Sequence, residues 1–205
     1  MKQFLCALSI SCLAVTANAS ILVNSVNFTT AGQAPGETLW SYTFALQPDQ
    51  NMRQTCTGTC PYANDFATII DFLGYQAGSA NLTGVIGGGY GFTITEELTT
   101  SGPTLFDAAG ISNIRVSLTG GGTIDGSANG GSPTTLFTLN LISTNPGSSL
   151  NVVGLSAQAY NSTTTTTAFN QGTTAGPSVL APEPATFALS GLGMIAFAIA
   201  RRKRA

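Results

Sequence analysis

Cys56 and Cys60 are the residues of this 205-residue chain whose spacing most directly invites chemistry, a pair within the polar run Cys56-Thr57-Gly58-Thr59-Cys60. A redox pair works through a thiolate whose pKa is lowered by a helix N-terminus or a nearby cation, usually at two-residue spacing. The spacing here is three residues and no helix is read beside the pair, and a zinc site needs two further ligands. In an oxidising compartment the pair is expected to form a structural disulfide. So small a ring removes only about 2 kcal/mol of unfolded-chain freedom, so it shapes a loop more than it holds a fold. Asp125-Gly126-Ser127-Ala128-Asn129-Gly130 begins like a calcium loop, but its twelfth position is Leu136, where a bidentate Glu is required. A hairpin loop explains the same residues, and no metal is expected. Glu96 and Glu97 are adjacent, so on a strand they point to opposite faces and cannot flank one substrate. Asp65 and Asp71 share a face of an extended strand about 20 Å apart, too far for glycoside hydrolysis. Carboxylates meeting from different strands are left open by the sequence.

The composition narrows the chemistry further. Histidine is absent, which removes the Ser-His-Asp and Cys-His arrangements and the usual general base at neutral pH. No catalytic residue and no cofactor are expected. Charged residues make up 8% of the chain, against roughly 25% in an average soluble protein. Between Glu37 and Asp125 two cations, Arg53 and Arg115, face eight acidic residues, a formal charge of −6. A body so poor in cations is not expected to follow a nucleic-acid backbone. The cluster Gly87-Gly88-Gly89-Tyr90-Gly91 places Phe92 where a dinucleotide fingerprint needs its third glycine, and no Gly-Lys-Ser/Thr occurs, so the glycines read as turns.

Both ends carry address signals. Lys2, the apolar stretch Phe4 to Val15 and the small residues Ala17-Asn18-Ala19 before Ser20 form the three parts of a secretory signal peptide over residues 1–19. The Sec translocon and signal peptidase are its expected partners. Cys12 is not read as a lipidation site, because Ser9-Ile10-Ser11 lacks the usual upstream leucine. At the other end stand Pro182-Glu183-Pro184, the uncharged run Ala185 to Ala200, and Arg201-Arg202-Lys203-Arg204. That order, in "PEPATFALSGLGMIAFAIARRKRA", resembles the PEP-CTERM sorting signal of Gram-negative bacteria. The resemblance implies a precursor held in the inner membrane until an exosortase, a membrane-embedded cysteine protease-transpeptidase, processes it near Pro-Glu-Pro. The same tail type is found on some ice-binding proteins.

The physical chemistry of the tail agrees with this. Sixteen residues of helix span about 24 Å, short of the roughly 30 Å hydrocarbon core. Thinning of the bilayer and snorkelling of Arg201 and Arg202 cover the difference at modest cost. The four terminal cations, Arg201 to Arg204, fix the tail on the cytoplasmic side and the body outside. Pro182 and Pro184 keep Glu183 in extended chain, the form in which proteases bind. Gly191 and Gly193 lack the four-residue spacing of a helix-dimer motif.

The body must position whatever chemistry remains. Apolar residues recur at period two through Trp40–Leu46, Asn113–Thr119, Phe137–Leu141 and Val153–Ala157, with weaker candidates at Ile21–Thr30, Asp65–Tyr75 and Gly91–Leu98. Turns fall at the glycine clusters and at Asn145-Pro146-Gly147. The expectation is an all-β fold, a β-sandwich of immunoglobulin-like or jelly-roll type over residues 20–160. Residues 161–181, including Thr163 to Thr167, have no apolar face and read as a Thr/Gly/Pro-rich spacer before the 182–205 sorting signal. Its clustered hydroxyls beside proline also suit O-linked sugars. The whole is read as a non-enzymatic exported protein of the cell surface or matrix, associated with exopolysaccharide or adhesion. The alternatives are a secreted carbohydrate-active enzyme and an ice- or ligand-binding module, the latter suggested by threonine-rich faces that include Thr93 and Thr95. A sugar-binding face calls for an exposed aromatic such as Trp40 or Tyr90.

Overall fold

The computed structural model describes residues 20–54, 65–98, 107–108, 110–145, 151–161 and 163–177. Eleven strands run in chain order: β1 (Ile21–Thr29), β2 (Thr38–Leu46), β3 (Gln50–Arg53), β4 (Phe66–Ile70), β5 (Asn81–Thr83), β6 (Gly91–Glu97), β7 (Asn113–Gly120), β8 (Thr123–Asp125), β9 (Thr134–Ser143), β10 (Asn151–Asn161) and β11 (Thr166–Gly176). A short 3-10 helix, Gly126–Asn129, follows β8. The first sheet has the order β1-β2-β9-β5. The second holds β6, β7, β4, β10, β3 and β8, with β11 on β10. All pairings are antiparallel, and the two sheets enclose one core in the manner of a β-sandwich.

Period-two alternation sends its apolar positions inward as expected. Trp40, Tyr42, Phe44 and Leu46 are fully buried, as are Ile114, Val116 and Leu118 from β7 and Phe137, Leu139 and Leu141 from β9. Each such side chain stabilises the fold by about 1.5–3 kcal/mol relative to exposure. β4 departs from alternation, since all five of its residues are buried. It lies between β7 and β10, and on its outward side the Arg115 guanidinium stands 3.9 Å from the Phe66 ring centre. Phe169 meets the same ring edge-on at 6.1 Å.

The registers show that the second sheet is simpler than its strand count. β4 pairs with Gly154–Gln158 and β3 with Tyr160–Asn161 on one side of β10, while β11 occupies the other. β3 and β4 are thus two halves of one line, separated in sequence by residues 54–65. β7 and β8 form the adjoining line, interrupted at Gly121, whose φ of 89° is left-handed. Arg53 and Asp65 tie the facing ends of the two halves together. Asp65 is fully buried and accepts from Arg53 Nε at 3.0 Å, Nη2 at 3.1 Å and the Arg53 backbone N–H at 2.8 Å.

Thr166–Gly176, read as part of a spacer, is an eleven-residue strand paired with β10 over its full length. The residues it buries are small: Ala168, Thr174 and Gly176. At Gly176 nothing larger fits, because a Cβ there would lie 2.2 Å from Val153 Cγ1. The missing apolar face was therefore a sign of close packing, and the folded body extends past residue 160. Residues 1–19, the Cys56–Cys60 loop and the 182–205 tail lie outside the described residues. Among the described residues no helix is long and apolar enough to cross a membrane.

Candidate functional site

The four strands of the first sheet contain no charged residue at all. Their inward positions are the large apolar and aromatic side chains, so alternation leaves hydroxyls and amides on the outward face. The registers align these in rows. Asn27, Ser41, Asn140 and Asn81 form one, and Ser25, Thr43, Thr138 and Thr83 form the next. Strands about 4.8 Å apart hold the members of a row within hydrogen-bond reach of their neighbours. Asn140 sits at the junction. Its Oδ1 accepts from the Ser41 hydroxyl at 2.7 Å, and its Nδ2 donates to Asn81 Oδ1 at 3.2 Å and Thr83 Oγ1 at 2.9 Å. Thr43 and Thr138 share a 3.1 Å hydroxyl contact. A third row, Thr29-Leu39-Ile142, adds apolar area at one margin. The outcome is an uncharged, internally braced surface of hydrogen-bonding groups. It suits a ligand that is itself neutral and rich in hydroxyls.

Most carboxylates with possible chemistry are occupied by the fold itself. Asp65 is enclosed by Arg53, with burial raising its pKa and Arg53 and Gln158 opposing the rise. Asp71, at a left-handed φ of 58°, accepts from the Ala108 N–H through both oxygens at 3.0 and 3.1 Å. Burial raises its pKa too, with the neighbouring Asp107 adding to the rise. Asn113 ties the two acids together, accepting from the Asp71 N–H at 2.8 Å and donating to Asp107 at 3.1 Å. Glu96 and Glu97 lie on opposite faces of β6, opposite Ile114 and Asn113. Glu96 accepts from the Tyr75 hydroxyl and from the Gly78 N–H at 3.0 Å. Burial and then Glu96 push the Tyr75 phenol up to about 12.

The remaining sequence candidates take structural positions. Asp125 caps the 3-10 helix by accepting from Ser127 N–H at 2.9 Å, and among the described residues no group of three metal-binding side chains assembles. Trp40 is fully buried and stacks on Phe28 at 4.9 Å, so it is not the exposed aromatic that a sugar groove would need. Tyr90 is half-buried and packs against the core. Thr93 and Thr95 belong to the second sheet, where Thr95 stands opposite Arg115, so charge interrupts that face. The larger threonine and asparagine array on the first sheet was missed, because its members come from four separate strands. Only the absence of charge in those segments hinted at it. Ser20 is buried at the head of β1, and its carbonyl accepts from Gln47 N–H at 3.2 Å. The other address residues, Ala17, Ala19, Pro182, Glu183, Pro184 and Arg201 to Arg204, lie outside the described residues, as do Cys56 and Cys60.

Residues 180–204 match the PEP-CTERM protein-sorting motif. A tail of this kind implies export, sorting to the cell surface and processing by an exosortase. No curated protein and no solved structure matches the chain.

Proposed function

We propose that this chain is a non-enzymatic exported protein of a Gram-negative cell surface or extracellular matrix. Its β-sandwich is delivered by the sorting tail and holds neutral exopolysaccharide on the outward face of the first sheet. The match of residues 180–204 to the sorting motif carries the delivery half of this reading. On that account residues 1–19 direct secretion, Arg201–Arg204 set topology, Ala185–Ala200 retain the precursor in the inner membrane, and Pro182-Glu183-Pro184 marks it for the exosortase. The uncharged rows around Asn140 support the binding half, since a neutral glycan meets no unpaired charge there; with Trp40 buried, this reading relies on hydrogen bonding and not on the aromatic stacking looked for in the sequence. The hydrogen bonds that occupy Asp65, Asp71 and Glu96 support a non-catalytic body.

Co-sedimentation with the host's own exopolysaccharide tests the binding half. Asn81→Lys with Thr83→Lys places two cations on exposed positions of the face. The pair is expected to weaken retention at least tenfold while the circular-dichroism spectrum stays unchanged. Retention equal to wild type contradicts the assignment of this face. The same threonine and asparagine rows also favour a second reading, a module that binds ice on the same tail. Inhibition of ice recrystallisation with no polysaccharide retention selects it.

A further inference from the structure

Among the described residues five strands end a sheet, β1, β5, β6, β8 and β11. An exposed edge is a template for pairing with another chain, and proteins ordinarily guard edges with bulges, charges, proline or brevity. Four of the five carry such guards. β1 has a register shift between Val23 and Ser25, β6 has one at Gly91/Phe92 and ends in two glutamates, and β5 and β8 are three residues long. β11 has none: eleven residues, no charge, no proline and an unbroken register with β10. The Tyr42 hydroxyl donates to the Ala175 carbonyl at 3.0 Å, so that carbonyl is turned away from β10. By antiparallel alternation, the N–H and C=O groups of Thr173, Gln171, Phe169 and Thr167 face the same way, away from β10, while the Asn170 side chain donates across to the Ile21 carbonyl of β1 at 3.1 Å.

We propose that β11 is a self-association edge, pairing antiparallel with β11 of a second copy of this chain. A second copy fits for two reasons. The strand is uncharged, so pairing it with itself opposes no like charges. The apolar run read as retaining the precursor begins at Ala185, nine residues after Gly176, so even fully extended chain keeps this edge within about 32 Å of the membrane. Copies retained by their tails therefore hold this edge in one shallow layer beside the membrane, where the effective concentration is high enough for a small interface. This step rests on the reading of the tail as a membrane-retained segment.

In an antiparallel pair centred on Asn170, Thr167 of one copy stands opposite Thr173 of the other, and both side chains are exposed in the single chain. The test uses the full chain, in donor- and acceptor-labelled copies, reconstituted into liposomes at low density. Wild type is expected to show energy transfer several-fold above the level of random mixing. T167K/T173K and T167E/T173E alone should each fall to that level, and a mixture of the two variants should recover it. Far-ultraviolet circular dichroism of both variants checks that the fold is kept. Wild type at the random level, or transfer unchanged in both variants, overturns the edge pairing alone. A chain that does not float with the liposomes overturns the reading of the tail, and the pairing argument with it.

Discussion

Asp65 is the residue whose removal should cost most for its size. It is fully buried against Arg53, which is itself only 12% exposed, and it joins the two halves of an interrupted strand. Deleting one partner of a buried pair strands the other charge, at about 3–5 kcal/mol. Asp65→Ala is therefore expected to lose that much stability in urea titration, and a loss below about 1 kcal/mol would show the pair to be solvated. Tyr75 offers a test through pH. Its folded pKa of about 12 lies above the ordinary 10.0, so its contribution is complete below pH 10.0 and is lost as pH rises through about 12. Glu96→Gln should let one phenol ionise at lower pH in a titration followed by phenolate absorbance. An unchanged curve would leave burial as the sole cause. At this scale the sequence was partly readable. Adjacency alone put Glu96 and Glu97 on opposite faces, whereas no local pattern announced that Asp65 would meet Arg53 across twelve positions.

Six of the seven strands anticipated are long enough to show a period, such as Trp40–Leu46 and Ile114–Leu118, whereas β4 is five residues long and buried throughout. β3, β5 and β8 are three or four residues long, too short for any period to register. β11 was hidden for a different reason, since its buried side chains are alanine and threonine and its partner supplies the order. The junction at β8 depends on a glycine as much as on any pairing. A Cβ on Gly126 would lie 2.1 Å from the Gln47 carbonyl and 2.5 Å from that of Gln50, both backbone atoms. Gly126→Ala is expected to cost the upper part of the roughly 1–3 kcal/mol range of overpacked sites. A melting temperature equal to wild type would show that the β2–β3 turn gives way freely. The rows around Asn140 were illegible for a related reason, because they exist only once β1, β2, β9 and β5 are in register.

At the scale of the molecule, every charged strand residue among the described residues belongs to the second sheet: Arg53, Glu96, Glu97, Arg115 and Asp125. Arg53 and Arg115 each stand over an aromatic ring, Tyr160 and Phe66, so the body's cations serve packing. The first sheet is left neutral, which is the division expected of a body that meets an uncharged polymer on one side. The sorting tail was legible because its parts are contiguous and ordered, needing no fold to bring them together. Whether this tail is a processed address is read from the intact mass of the mature protein in its native host. The expected chain starts at Ser20 and has lost the apolar run and Arg201–Arg204. The same protein with alanine at Pro182, Glu183 and Pro184 should keep the full tail and stay in the inner membrane. A wild-type mass that still includes Arg204, in a protein that remains in the membrane, would contradict it and make the tail a permanent anchor.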